Sequence, residues 1–374
     1  LTRVLLTGDL LRPQDEAFRP AQNGNIAWLH RLIRRPVSAA AGVELETLTW
    51  GPGGFDTPRF YDLAGLPPDI EGWVAAFDAP ELPRQAAAML AEPFADAAAV
   101  IGFELAEVQK RLLSQLRVPW VDLNIHPYRF GPDVLLAVQT NHPGMLDALR
   151  AHHAEDADFE PWADLMAATA VKMPPDPPLT EATLVVGQTR VDRALVSGGR
   201  LLDLRDVAPA LHAAVGPHAR IAFKPHPYNP EGFGLYDIGL PLRRIREVSE
   251  NIYVLLGQDA LKRVVGLSSS VVAEARFFGK EGVFLGRPPF RIAPTRAALV
   301  PGTHASVVDA WLSADFWRDL LAPVMDVTPK DGRRVALGPN ALRGSLRQYW
   351  GYDEIAFQLP FDLAATRAEA RRSR

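Results

Sequence analysis

Three short stretches in the second half of the chain carry residue types able to bind and move an anion. Gly187-Gln188-Thr189-Arg190-Val191-Asp192 directly follows an apolar run at 183–186. In open α/β sheets ligands bind beyond the carboxyl ends of strands, so Gln188, Arg190 and Asp192 are candidate ligand contacts. Asp192 also suits a plain turn or helix cap. Lys224-Pro225-His226-Pro227 follows the run at 220–223. Its prolines hold the backbone extended, so Lys224 supplies a point charge and His226 a directional donor, a pairing suited to phosphate. Gly266-Leu267-Ser268-Ser269-Ser270 opens a helical segment at Val271. Hydroxyls and free N–H groups at such a start favour anions, although a serine cap alone explains the residue type. Glu274 is placed to accept hydrogen bonds from a ribose, or to serve as a capping-box partner.

In the first half, Gly102-Phe103-Glu104 ends an apolar run and begins a helical pattern. A carboxylate there can act as acid or base if burial raises its pKa, or can stabilise a first helical turn. His126-Pro127-Tyr128-Arg129-Phe130 follows the run at 120–125, and Arg129 can clamp a carboxylate or pair with Asp133. His152-His153-Ala154-Glu155-Asp156-Ala157-Asp158 has metal-ligating types but reads as a solvated acidic loop. Gly8-Asp9 and Asn23-Gly24-Asn25 suit either an acceptor groove or turns. The P-loop, HExxH and GxSxG patterns are absent, and Gly51-Pro52-Gly53-Gly54 is not a dinucleotide fingerprint.

These residues need a scaffold. Strands are predicted at 3–7, 99–103, 120–125, 183–186, 220–223, 264–267 and 282–285, most followed by helical spacing. One helix is predicted over 104–116, with Leu105, Val108, Leu112, Leu113 and Leu116 on one face. Another is predicted over 271–278. This alternation implies an α/β protein with parallel sheets and helices on both faces. Four prolines in the five residues 174–178 predict an extended linker. The expected organisation is an α/β unit over 1–177, a second over 178–301, and a helical segment over 302–374 packing back across both. Helices are expected at 307–325 and 339–350, with a charged tail at 367–374.

Composition limits the function. The chain has 374 residues, 48% hydrophobic and 22% charged, and its 40 Lys and Arg against 44 Asp and Glu give a formal net charge of −4. That balance disfavours non-specific nucleic-acid binding. There is no cysteine, which excludes disulfides, thiolate metal sites and cysteine nucleophiles. No apolar run approaches the roughly 18–20 residues that span a bilayer, and Leu1 to Thr7 lacks a signal-peptide layout.

Taken in order, Gln188-Thr189-Arg190-Val191-Asp192, Lys224-Pro225-His226-Pro227, Ser268-Ser269-Ser270 with Glu274, and Gly286-Arg287-Pro288-Pro289-Phe290 resemble the bacterial β-Kdo transferases of capsule and lipopolysaccharide synthesis. These are retaining enzymes that use CMP-Kdo. The resemblance covers roughly residues 95–290. It implies a GT-B-like pair of Rossmann-type domains facing a cleft, with donor on the C-terminal domain and acceptor glycan on the N-terminal one. It implies that His226, with Lys224 nearby, meets the nucleotide phosphate, assisted by Ser268, Ser269 and Ser270. Asp192 matches the nucleophile of a double displacement, and Glu104 is the best match to the acid–base residue. Arg129 or Arg190 would neutralise the sugar carboxylate. No cofactor and no metal are expected. The expected partners are CMP-Kdo and a glycan acceptor, including a lipid-linked one. The expected location is cytoplasmic, compatible with contact at the inner face of the inner membrane. Two other readings stay open: an inverting, sialyltransferase-like CMP-sugar transferase, and a non-catalytic nucleotide- or glycan-binding protein of polysaccharide assembly.

Overall fold

The computed structural model describes residues 3–13, 22–51, 53–172, 179–217, 219–226, 229, 234–333, 335, 337–338 and 340–346. The predicted linker at 174–178, Pro227 and the charged tail lie outside the described residues, as do positions 339 and 347–350 of the helix expected at 339–350.

Two α/β units account for the described chain. The strands of the first are β1 (Arg3–Gly8), β2 (Leu45–Thr47), β3 (Ala97–Phe103), β4 (Trp120–Ile125) and β5 (Leu136–Thr140). The second contains β6 (Ala182–Val186), a small hairpin of β7 (Val196–Ser197) and β8 (Arg200–Leu201), then β9 (Arg220–Lys224), β10 (Ile245–Glu247), β11 (Leu261–Gly266) and β12 (Glu281–Phe284). A last strand, β13 (Ala305–Val307), returns to the first unit.

The first sheet has the order β13-β5-β4-β3-β1-β2. β2, β1, β3 and β4 are parallel, whereas β5 runs antiparallel to both β4 and β13. The parallel arrangement expected for the sheets holds over β2, β1, β3 and β4, and the edge beyond them is antiparallel because a short connection from β4 to β5 turns the chain back. β3 is buried at every position, which explains its unbroken run Ala-Ala-Ala-Val-Ile-Gly-Phe. The second sheet is wholly parallel, in the order β10-β9-β6-β11-β12. Both sheets thus reverse their winding direction at one point, between β1 and β3 and between β6 and β11, the doubly wound Rossmann pattern.

The helix expected over 307–325 is instead β13, a tight turn at Ala310–Leu312 and the helix Ala314–Leu321. Ser313 stops anything longer by accepting the Phe316 N–H as a cap. Trp311, Phe316 and Trp317 are fully buried in the core that contains the long helix Gln22–Ala41. The helix Ala341–Leu346 is held at the same unit by Asp133, whose carboxylate accepts the N–H groups of Leu342 and Arg343. The described part of the C-terminal segment therefore packs on the first sheet.

The two units are joined by aromatic packing. Tyr128 and Phe130, from the loop after β4, meet Phe277 edge to face at 4.8 and 5.2 Å. These rings share one core with Phe159, Tyr253 and Leu256. That core spans both units, so their relative placement rests on buried apolar area and not on surface ion pairs alone.

Candidate functional site

The order of the second sheet brings its three motifs together. β9, β6 and β11 are neighbours and parallel, so the segments leaving their carboxyl ends emerge side by side. Gly187 N–H donates to Lys224 O at 2.8 Å, tying the first motif to the second. A Cβ on Gly187 would sit 2.8 Å from the backbone nitrogen of His226, so the two strands can approach only without a side chain here. Gly187→Ala is expected to cost about 1–3 kcal/mol of stability through overpacking, read as a lowered urea midpoint.

Asn229 binds this corner together and was not singled out from the sequence. It is 3% exposed, donates to Gln188 O at 3.0 Å, and its side-chain oxygen accepts from Arg190 Nε at 3.4 Å. Gln188 in turn donates to Asp192 Oδ2 at 3.2 Å, and Asp192 Oδ1 accepts the Ala194 N–H at 2.9 Å. The aspartate does cap a short turn, Arg193–Leu195, and its carboxylate is thereby fixed from both oxygens.

Lys224 Nζ donates to Glu250 O at 2.8 Å. Burial pushes the His226 imidazole below its usual range, against the opposing pull of Asp192, so near neutral pH it is an uncharged ring. His226 thus lies close enough to Asp192 to feel the charge of its carboxylate. Ser268 is 3% exposed and its buried hydroxyl has no hydrogen-bond partner among the described residues. Such an orphan costs about 1–3 kcal/mol, which a bound polar group would relieve. Ser269 occupies the cap position of the helix Ser270–Glu274 yet makes no side-chain cap hydrogen bond. The plain serine-cap explanation for this motif therefore does not hold.

Glu104 stands just beyond β3, at the reversal point of the first sheet. The helix expected from 104 begins instead at Glu107 (Glu107–Gln115). Glu104 is consequently not a first-turn acid; Glu107 fills that position. Glu104 has φ = 56°, in the left-handed region that costs a non-glycine residue roughly 1–3 kcal/mol. Its amide donates to Leu123 O at 3.0 Å, and its side chain is 12% exposed. Burial raises its carboxyl above the ordinary range, Arg193 and Arg12 pull it down, and Asp192 and Asp122 push it up again. Asp9, at the end of β1 on the other side of the reversal point, is also buried. Trp73 Nε1 donates to it at 2.8 Å, and the guanidinium of Arg12 lies 5.0 Å over the Trp73 ring.

Arg129 and Glu274 meet across the two units. Arg129 N–H donates to Glu274 Oε1 at 2.5 Å, and the Tyr253 hydroxyl donates to the same oxygen at 3.1 Å. Glu274 is 1% exposed, and burial pushes its carboxyl up to about 7. Both hydrogen bonds reach Oε1 from the interior, one from the loop after β4 and one from Tyr253 of the second unit. Burial lowers the Arg129 guanidinium, while Glu274, Tyr253, Glu104 and Asp192 favour its charged form. Arg129 thus feels both candidate carboxylates as well as Glu274.

The stretch at 152–158 is used for fastening. His153 Nδ1 accepts the Ser306 N–H at 2.9 Å, Glu155 accepts the Arg296 N–H at 2.9 Å, and Asp156 pairs with Arg276 at 2.6 Å. Asn25 is buried within the helix Gln22–Ala41. Arg193 is the other residue the sequence reading missed: it follows Asp192 and reaches the first sheet, donating to Asn124 Oδ1 at 2.9 Å. Its adjacency to a candidate nucleophile was the only available signal.

The chain matches no family model and no curated protein. Among solved structures it is similar to KpsC of Thermosulfurimonas dismutans, described as a beta Kdo 2,7 transferase. The identity is 12%, with 85% of this chain and 99% of that chain covered and a TM-score of 0.39. A KpsC structure described as a beta Kdo 2,4 transferase is 16% identical over 78% of this chain and 83% of that one, with a TM-score of 0.37. UDP-GlcNAc 2-epimerase from Methanocaldococcus jannaschii is 10% identical over 74% of this chain and 82% of that one, with a TM-score of 0.24. Among the described residues, no helix is long and apolar enough to cross a membrane.

Proposed function

We propose that the protein is a glycosyltransferase that moves Kdo, or a related 2-ulosonic acid, from its CMP donor to a glycan acceptor with retention of configuration. The reading is supported above all by one arrangement: Asp192, Lys224, His226 and Ser268 emerge from three adjacent strand ends, and the charge of Asp192 is felt by Glu104 of the facing sheet.

The chemistry follows from this placement. A carboxylate oxygen of Asp192 attacks the anomeric carbon as the bond to the CMP phosphate oxygen breaks, and CMP departs with the electron pair. Two hydrogen bonds already hold that carboxylate, so little reorganisation is needed. Lys224 meets the departing phosphate as a cation, neutral His226 as a directional donor, and the unpaired Ser268 hydroxyl as a further donor. Ser269 and Ser270 extend the same polar edge. In the second step the acceptor hydroxyl attacks the anomeric carbon and gives its proton to Glu104, and the bond to Asp192 breaks. Arg129 and Arg190 are assigned to neutralise the sugar carboxylate. No cofactor and no metal is assigned, and leaving-group charge falls to Lys224, His226 and the serines. The acceptor is assigned to the first unit, with a lipid-linked glycan at the inner face of the inner membrane as the cytoplasmic setting.

CMP is expected to stabilise the protein by about 2.7 kcal/mol at 100 times its dissociation constant. UDP and GDP at equal concentration are expected to do so far less. Equal shifts with all three, in a thermal melt, would refute a cytidine-nucleotide donor. Incubation with CMP-Kdo and candidate acceptors, with NMR assignment of the product anomer, then tests transfer and its stereochemistry.

A further inference from the structure

We propose that Arg193 is a positioning residue that clamps the loop carrying Asp192 to the ends of β3 and β4 and holds Glu104 in its working place. This rests on reading Asp192 and Glu104 as the reacting pair.

The clamp is rigid at its root. Arg193 opens the short turn Arg193–Leu195, which Asp192 itself caps through the Ala194 N–H. Moving one side chain therefore moves the other. At its far end the guanidinium donates to Asn124 Oδ1 at 2.9 Å and to Leu105 O at 3.4 Å. It stands 4.0 Å from Glu104 Oε2 and 5.8 Å from the centre of the Phe77 ring. These acceptors are themselves fixed. Asn124 donates its amide to Asp122 Oδ2 at 3.1 Å, which turns its oxygen toward Arg193. Asp122 Oδ1 accepts the Leu105 N–H at 3.0 Å. Leu105 is thus held from both sides, by Asp122 at its N–H and by Arg193 at its carbonyl, directly after the left-handed Glu104. The network sustains a backbone conformation that Glu104 would otherwise leave. The planar guanidinium presents its donors in fixed directions, so it bonds two neutral acceptors while keeping its charge beside a carboxylate.

Glu104 is faced by the cations Arg193, Arg12 and Arg129 and by the anions Asp192 and Asp122. Removing Arg193 deletes the cation that most strongly opposes the effect of burial on Glu104. The carboxyl would then keep its proton to higher pH and could not accept one from the acceptor.

The test measures kcat/KM for CMP-sugar transfer against pH in wild type, R193A, R193K and N124A, with CMP affinity and thermal melts alongside. R193A is expected to lose on the order of 10–100-fold in kcat/KM at pH 7, to regain part of it at higher pH, and to move the acid limb up by about one pH unit. R193K is expected to keep the acid limb near its wild-type position while losing turnover. N124A, which leaves the charge and loosens the clamp, is expected to lower kcat without moving the acid limb. CMP affinity is expected to stay within a few-fold in all three. An R193A profile that is unchanged, or reduced evenly at every pH, overturns the proposal even if E104Q and D192A are inactive. No transfer by the wild type, or full activity in E104Q, removes the underlying reading and this proposal with it. If R193A fails to fold, an unaltered kcat in folded N124A overturns it.

Discussion

Asp192→Ala is expected to lower turnover by on the order of 10⁴-fold while leaving CMP affinity within a few-fold. The size follows from the role: without a carboxylate to trap the anomeric cation, only phosphate stabilisation and positioning remain. The second duty of Asp192, capping the Arg193–Leu195 turn, is worth about 1 kcal/mol, so most of the protein stays folded. Asp192→Asn separates the two duties, since asparagine caps as well as aspartate but is a poor nucleophile. Its melting temperature should match wild type while its turnover falls with the alanine variant. Intact mass after mixing with donor alone should show one added sugar on the wild-type chain and none on either variant. Lost turnover with no adduct on the wild type would indicate an inverting transferase, with Asp192 or Glu104 as base. Tight CMP binding with no turnover in any form would indicate a binding protein.

His304→Gln is expected to remove roughly 2 kcal/mol of acid sensitivity between pH 7.5 and pH 5. His304 is 7% exposed, and burial brings its imidazole down to about 3, with Lys110 and Arg193 adding to the effect and Glu107 opposing it. A group whose folded pKa is depressed below the unfolded value near 6.5 binds more protons unfolded. Its contribution is whole above pH 6.5 and is lost as pH falls toward 3, amounting to roughly 4 kcal/mol there. Glu274 works in the opposite sense. With its folded carboxyl raised to about 7, protonation favours the folded state as pH drops from 7 to 4.5. A wild-type scan therefore mixes opposing slopes from several groups, and the measurement that isolates His304 is the difference in urea stability between wild type and variant at each pH. A difference independent of pH would show that the imidazole is not held neutral. His126 is pushed well down by burial in the same region, where its Nδ1 accepts the Tyr128 N–H and its Nε2 meets Ser306 at 2.8 Å. It would leave a residual acid slope in the variant.

The second sheet was largely legible. Its buried strands are short apolar runs, and the residues at their ends are local in sequence, so the motifs could be placed at strand ends before any contact was known. That they stand beside one another depends on the order β9-β6-β11, which no run of residues encodes by itself. The C-terminal return was only half legible. Residues near 310 carry a helical apolar spacing, but Ala305–Val307 pairs with β5, a partner more than 160 residues back, and becomes a strand. Tertiary pairing overrode local preference there, as it commonly does for short segments.

Residue type and spacing alone determined the chemistry on offer: a carboxylate at Asp192, a Lys-Pro-His string, a run of serines, and no thiol. Folding decided which groups share an electrostatic environment. Arg193 meets Asn124 across 69 positions, and Glu274 meets Arg129 across 145. It also decided that Glu104 leaves the helix and turns left-handed, which helical periodicity cannot reveal because the cause is a hydrogen-bonded ring of Asp122, Asn124, Leu105 and Arg193. Local pattern reports which face of an element is buried. The protonation state of a buried group depends on charges brought near it by other elements, and these become neighbours only when both sheets have closed on one another.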